Sequence, residues 1–224
     1  MFRKILLTCS LVISFTYAAN AAEEIALPEP ELDGKVSVEK AIYNRRSIRS
    51  YSNKALTLKE AAQLLWAAGG QTIDGVTGPT RAYASAGGAY PLEIYLVAGD
   101  IEGLEAGIYR YDWKSHALSE VKKGDYRKEL AGACYGQGMV KSAPATIVIT
   151  AKYKKTTGRY GERGRTLYVP QDAGHLGQNV HLQAESLGLG TVMIGAFTDS
   201  EVAKVLGTPK DETPVYAMPV GSPR

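Results

Sequence analysis

Cysteine is almost absent from these 224 residues: there are two, Cys9 and Cys134. Cys9 falls in an N-terminal stretch that reads as removable. What remains cannot form an internal disulfide, so its stability has to come from core packing or from subunit association. Cys134 lies in the apolar-leaning run ELAGACYG and reads as a small buried packing residue. No paired-cysteine metal motif surrounds it, and His116, His175 and His181 have no recognisable zinc spacing. An excess of either charge is missing as well. Without Arg3 and Lys4 the 26 basic residues become 24, against 23 acidic ones. That balance argues against a nucleic-acid binder or a membrane-surface binder working by bulk charge. Internal repeats and low-complexity segments are also lacking.

The apolar run from Ile5 to Tyr17 follows Arg3 and Lys4 and precedes Ala19-Asn20-Ala21. This is the pattern of a secretory signal, and the run is too short to span a bilayer comfortably. The expectation is an exported, periplasmic protein with residues 1–21 as signal peptide and no stable membrane insertion after cleavage. An uncleaved anchor is the rival reading. Residues 22–36 read as an extended lead-in. Residues 37–224 are of a length suited to one well-cored domain.

Ser37 is a plausible cap for a short helix to Asn44, with Glu39 in its first turn. Thr57-Leu58-Lys59-Glu60 is a capping-box pattern, and the helix it starts should end at Gly69-Gly70. Residues 71–91, rich in Gly, Thr and Ala, read as a loop. LEIYLVAG (92–99), GIYRYD (107–112) and ALSEV (117–121) read as strands, residues 126–135 as a short helix, and ATIVITA (145–151) as a strand buried on both faces. A helix should run from Pro170 to Leu187, where Gly174 and Gly177 would let another backbone approach. TVMIGAF (191–197) then reads as a strand, 200–206 as a helix and VYAMPVG (215–221) as the last strand.

The stretch RRSIRSY, residues 45–51, places three arginines and two serines within seven residues. A guanidinium presents a planar fork of donors matched to phosphate oxygens, and serine adds a hydroxyl, so the stretch reads as one end of a phosphate cradle. Arg45-Arg46-Ser47-Ile48-Arg49-Ser50-Tyr51 resembles the RRSxRxY opening of the nitroreductase family of flavin enzymes. RAYASAGGAYPLEIYLV (81–97) is similar to a segment of that family's thiazoline-oxidase-like, SagB-type branch. Residues 160–197 resemble its long central helix and flavin-facing strand, and MPVGSPR (218–224) its closing segment.

The resemblance implies an α+β nitroreductase-like fold, a central, mostly antiparallel sheet flanked by helices, built as a homodimer with FMN in clefts that use both chains. Residue by residue it implies that Arg45, Arg46, Ser47 and Arg49 contact the FMN phosphate and ribityl end. Ser85, Ala86 and Gly87 would lie along the ring and ribityl face. Met193, Ile194 and Gly195 would run beside the ring, with a backbone N–H near the reactive N5. Gly221 and Arg224 would return to the phosphate. The function implied is an FMN-dependent oxidoreductase, passing hydride by ping-pong chemistry from a small donor to an acceptor such as a nitroaromatic or quinone. Two alternatives stay open: a dehydrogenase of a peptide azoline or small ring substrate, and an exported flavin-binding protein without turnover. Azoline-oxidising members tend to carry Lys-Tyr where this chain has Arg159-Tyr160. Arginine cannot act as a general base, which leaves Tyr160 as the candidate acid or base.

Overall fold

The computed structural model describes residues 24–75 and 78–224; the signal segment expected at 1–21 lies outside them. In chain order the elements are β1 (Glu24–Ala26), α1 (Val38–Asn44), β2 (Leu56–Thr57), α2 (Leu58–Gly69), β3 (Gln71–Gly75), β4 (Gly78–Arg81), β5 (Leu92–Ala98), β6 (Ile101–Glu102) and β7 (Gly107–Asp112). They continue with β8 (Ala117–Lys123), α3 (Arg127–Ala133), α4 (Gly138–Ser142), β9 (Ala145–Ala151), α5 (Lys154–Arg163), α6 (Val169–Ser186), β10 (Gly190–Thr191), α7 (Asp199–Leu206) and β11 (Thr213–Gly221). A π-helical turn, Gly164–Tyr168, joins α5 to α6.

Two apolar runs make the centre of the sheet. Every residue of β5 and β9 is buried, as expected of strands covered on both faces. The strand order is β1-β8-β7-β5-β9-β11-β10, and every pairing in this seven-stranded sheet is antiparallel. Ile147 faces Leu96 on one side and Met218 on the other, which sets the central register. One face of the sheet carries α2 and α6, with Leu64, Leu65, Leu176 and Val180 packed on Ile94, Leu96 and Ile147. The opposite face carries α3, α4 and α7, with Leu130, Val140 and Val202 packed on Val97, Ile108 and Val148. Burying one such side chain contributes about 1.5–3 kcal/mol. Cys134 is fully buried in this second cluster, and burial pushes its thiol up to about 11.

The caps form as their sequences require. Ser37 Oγ accepts from Lys40 N–H at 3.2 Å. The Thr57 side chain accepts from Glu60 N–H at 3.2 Å while the Glu60 carboxylate accepts from Thr57 N–H at 2.8 Å. At the other end of α2, Arg81 Nε donates to Gly69 O at 2.6 Å and Nη1 to Leu92 O at 2.8 Å. A buried cation thus meets the negative end of the helix dipole.

The extended lead-in joins the sheet: β1 pairs with β8, and the buried Gln63 holds the segment after it through Glu31 N–H at 2.8 Å and Glu31 O at 3.0 Å. Three readings are corrected. Residues 71–91 hold a hairpin, β3–β4, and a 3-10 turn at Ala86–Gly88, because Thr and Gly satisfy a short two-stranded ribbon as well as a loop. TVMIGAF pairs regularly only at Thr191. Ile194 then makes an isolated bridge to Ala217, because this edge segment has one neighbour and Met193 turns aside toward α6. Gly177 makes room for that Met193 side chain rather than for a backbone, and a Cβ at Gly174 would meet nothing within 4 Å. Among the described residues no helix is long and apolar enough to cross a membrane.

Strands β5 and β7, with the residues just after β9 and just before β11, carry a charged cluster. The Glu212 side chain is wholly buried and accepts from Tyr95 Oη at 2.8 Å and Thr150 Oγ1 at 3.0 Å. Its second oxygen faces Lys152 Nζ at 3.3 Å and Arg110 Nη2 at 3.6 Å. Glu93 bridges Arg110 at 3.0 Å and Lys155 at 3.0 Å. Glu212→Ala leaves the Tyr95 and Thr150 hydroxyls without their acceptor, so it should cost about 1–3 kcal/mol in urea unfolding. Lys59→Ala, which breaks a bridge to Glu31 between side chains 64% and 53% exposed, should leave the urea midpoint nearly unchanged.

His181 on α6 is buried, and burial first, then the nearby Arg45 cation, hold its pKa below the ordinary 6.5. The unfolded chain takes up this proton more readily, so stability present above pH 6.5 is lost as pH falls through the folded value. The urea midpoint should drop between pH 7 and pH 5, and His181→Asn should flatten the curve over that window.

Candidate functional site

Helix α6 holds the glycine-rich segment directly and lies beside the arginine segment. It advances by about 100° per residue, so Asp172, His175 and Asn179 share one edge while Gly177 and His181 lie on the far edge. Ala173, Leu176, Val180 and Ala184 form the buried stripe between them.

The first edge holds the glycine-rich segment. Asn179 Nδ2 donates to Ala82 O at 2.7 Å, and His175 Nδ1 to Ala84 O at 2.9 Å. Asp172 accepts from Ser85 Oγ at 2.6 Å and from Ala86 N–H at 3.2 Å. Ser85 Oγ in turn accepts from Tyr90 N–H at 2.9 Å. The chain therefore runs antiparallel to the helix, fixed at three successive points. Burial raises the Asp172 pKa, with the bonds from Ser85 and Ala86 opposing it. Gly87 has φ 61° and is exposed; a Cβ there would collide with Tyr160 Oη. None of Asp172, His175 and Asn179 was singled out for this task from the sequence, although their spacing of three and four residues marks a polar stripe along a helix.

The far edge meets the arginine segment and the residues after β10. Ile48 N–H donates to Thr191 O at 2.9 Å, and the Ile48 side chain fills the space a Cβ at Gly190 would need. Tyr51 Oη donates to Ile48 O at 2.8 Å or Pro219 O at 2.9 Å, and Ser52 N–H donates to Ser222 O at 2.9 Å. Arg224 N–H donates to Ser50 O at 3.2 Å. Arg45, Ser47, Arg49, Gly221 and Arg224 are thereby gathered at one end of the sheet. Arg46 has a structural task there: its Nη1 turns back on the carbonyls of Tyr43, Asn44 and Arg45 at 3.0, 3.1 and 2.8 Å, closing the C-terminus of α1. Ile194 is core, with backbone bonds to Ala217 in both directions. Gly195 is exposed, and a Cβ there would find only Tyr216, at 3.8 Å.

These groups fit an anionic cofactor with a flat ring. Arginine and serine donors stand at one end, and the small residues Ser85 and Ala86 with the open backbone at Gly195 leave room for a ring, while Gly87 sits under Tyr160 Oη. The two sets lie, however, on opposite edges of α6. The clefts of about 370 and 320 Å³ lie between the lead-in, α2 and α6, and are lined by none of the residues assigned to the cofactor. Across the outer face of α6, between the two edges, lie Gln171, Gly174, Gln178 and Leu182, and α1 adds Val38, Ile42 and Tyr43 at 63, 54 and 73% exposure.

Comparison with known proteins gives one consistent result. MJ1384 of Methanocaldococcus jannaschii, assigned by its name to the nitroreductases, is 40% identical over 198 residues, covering 88% of this chain and 96% of that one. The trifolitoxin operon protein TfxC of Rhizobium leguminosarum bv. trifolii is 26% identical across 90% of this chain, which spans 60% of its length. NADPH-flavin oxidoreductase of Vibrio harveyi is 31% identical over 116 residues, about half of either chain. A nitroreductase-type crystal structure from Ralstonia eutropha superposes with a TM-score of 0.77 at 28% identity, covering 92% of this chain and 93% of that one. The model of the family described as Nitroreductase matches residues 42–222, and the chain belongs to the nitroreductase family.

Proposed function

We propose that this protein is an FMN-dependent oxidoreductase whose cofactor lies between two copies of the chain. The family supports an oxidoreductase, and the observation that carries the finer reading is the arrangement on α6. One edge presents the arginine segment with Arg224, and the other presents Ser85-Ala86-Gly87. A second copy seated on the outer face of α6 brings the first edge of one chain to the second edge of its partner. Gly174, open to solvent space, lets that approach be close, and the exposed apolar residues of α1 extend the same surface.

In this reading Arg45 and Arg49 hold the phosphate, with Ser47 as a further donor, and Arg224 closes over it from the C-terminus. Arg46 is assigned to the same end, where its free Nε and Nη2 are available while Nη1 caps α1. Ser85 and Ala86, locked by Asp172, keep the ring face narrow and flat. Met193 fills the notch at Gly177, which fixes the backbone leading to Gly195, whose N–H would serve the reactive edge of the ring. Bound FMN supplies reversible hydride exchange between a small donor and an acceptor such as a nitroaromatic or quinone. The azoline-oxidising alternative has less support, since Arg159 cannot take a proton. Residues 1–21 as an export signal, and the periplasm as the compartment, belong to the same proposal.

The direct test is the visible spectrum of the purified protein with acid-released cofactor identified by chromatography; a colourless protein that takes up no FMN would sink the reading. Charge-assisted hydrogen bonds contribute about 1.5–3 kcal/mol each, so Arg45→Gln and Arg49→Gln should each weaken FMN binding tenfold or more in a fluorescence titration. Light scattering should give the mass of two chains. Gly174→Arg should lower it to one and lose FMN with it, whereas retention of FMN by a monomer would refute the shared site.

A further inference from the structure

Residues 152–165, KYKKTTGRYGERGR, carry six cations and a single acid, Glu162, in a protein otherwise near charge balance. Lys152 and Lys155 are committed to Glu93 and Glu212. Arg159, Arg163 and Arg165 are exposed and form no ion pair among the described residues. Aromatic rings order them instead. The Arg159 guanidinium lies 5.3 Å from the centre of the Tyr160 ring, and that of Arg163 lies 5.5 Å from Tyr168. The two tyrosines meet edge to face, with centres 4.9 Å apart. Arg163 Nε also donates to Tyr168 Oη at 3.1 Å. The result is a continuous stack, Arg159-Tyr160-Tyr168-Arg163.

The backbone is shaped to build it. Gly161, at φ 56° and ψ −144°, breaks α5 directly after Tyr160, and the π turn that follows brings Tyr168 back beside it. Gly164 packs so closely on the backbone of Thr156 and Thr157 that a Cβ would stand 3.1 Å from it. One end of the stack rests on Gly87: Tyr160 Oη occupies the space above that residue, and Arg159 Nη1 lies 3.0 Å from where its Cβ would be. A guanidinium over a ring keeps donors to spare: Arg163 gives Nε to Tyr168 Oη and leaves its two amino groups without a protein partner among the described residues, and cations flanking aromatic surface match a flat ring that bears an acidic group.

We propose that this stack is the specificity element of the acceptor site and that it selects planar aromatic anions, a ring carrying a carboxylate or sulfonate, over uncharged rings of the same shape. The assignment to the acceptor site rests on the flavin reading, because it is Gly87, in the segment assigned to the ring face, that the stack overhangs. The arginines contact the anionic group, and the tyrosines the ring.

The test is equilibrium binding of 4-nitrobenzoate and 4-nitrobenzamide, which share a ring and differ in charge, measured by calorimetry on the full protein at low and high salt. The benzoate should bind about tenfold tighter or more, and salt should weaken it alone. Arg159→Gln combined with Arg163→Gln should bring the two ligands to within about twofold. Lys154→Gln, which removes an exposed cation outside the stack, should preserve the preference. Equal affinities in the unaltered protein, a preference that survives the double substitution, or an equal loss in Lys154→Gln would each overturn the inference. FMN uptake is read separately from the visible spectrum of the same preparations. A protein that holds FMN but binds both ligands alike therefore loses this inference while the flavin reading stands.

Discussion

The whole arrangement depends on one helix being satisfied on three sides at once. The buried stripe of α6, Ala173, Leu176, Val180 and Ala184, fixes its position on the sheet. With its rotation set, everything else is constrained. Asp172, His175 and Asn179 must face the segment 82–86, and Gly177 must face Met193. A helix turned by one residue, about 100°, would set carboxylate and imidazole against the apolar sheet and leave three backbone carbonyls or amides of the loop without partners. Hydrophobic burial chooses the rotation, and hydrogen bonds then make the loop pay no penalty for being a loop.

Much of this was legible in the sequence, for reasons that differ by element. The unbroken apolar runs of β5 and β9 and the capping box at Thr57-Glu60 are local signals, and the structure realises them as read. The family and the α+β fold followed from four motifs in order. What escaped notice depended on partners distant in sequence. Glu24–Ala26 carries no strand signature of its own and becomes a strand because β8 offers it an open edge. TVMIGAF has strand composition but, beyond Thr191, no second neighbour. Asp172, His175 and Asn179 look like the polar side of any amphipathic helix until the carbonyls they bind are located. Arg46, grouped with its neighbours as a phosphate ligand, also spends Nη1 on the end of its own helix, which composition cannot reveal.

Near-neutral charge overall conceals sharp local separation. Arg45, Arg49 and Arg224 gather at one end of the sheet, and the cations of α5 at another place. The acids that balance them stand elsewhere, the sheltered Glu93 and Glu212 against the partly exposed Arg110 and Lys152, and others on the open surface. The same residue types do opposite work according to solvent. In the interior, carboxylate and cation are mutually required. On α5, Arg159 and Arg163 are held by tyrosine rings and pair with no acid among the described residues.

The pinned lead-in has one further consequence. A seven-stranded antiparallel sheet has two edges, each a row of unpaired amides and carbonyls open to any passing strand. Here one edge is capped by three residues of β1, fastened just beyond by Gln63, His116 and the Pro28 carbonyl. The other ends in the two residues of β10, beside which Ser47 and Ile48 are laid. Among the described residues each edge therefore ends in a strand of two or three residues, too short a row of free amides and carbonyls for a neighbouring molecule to extend those outermost strands.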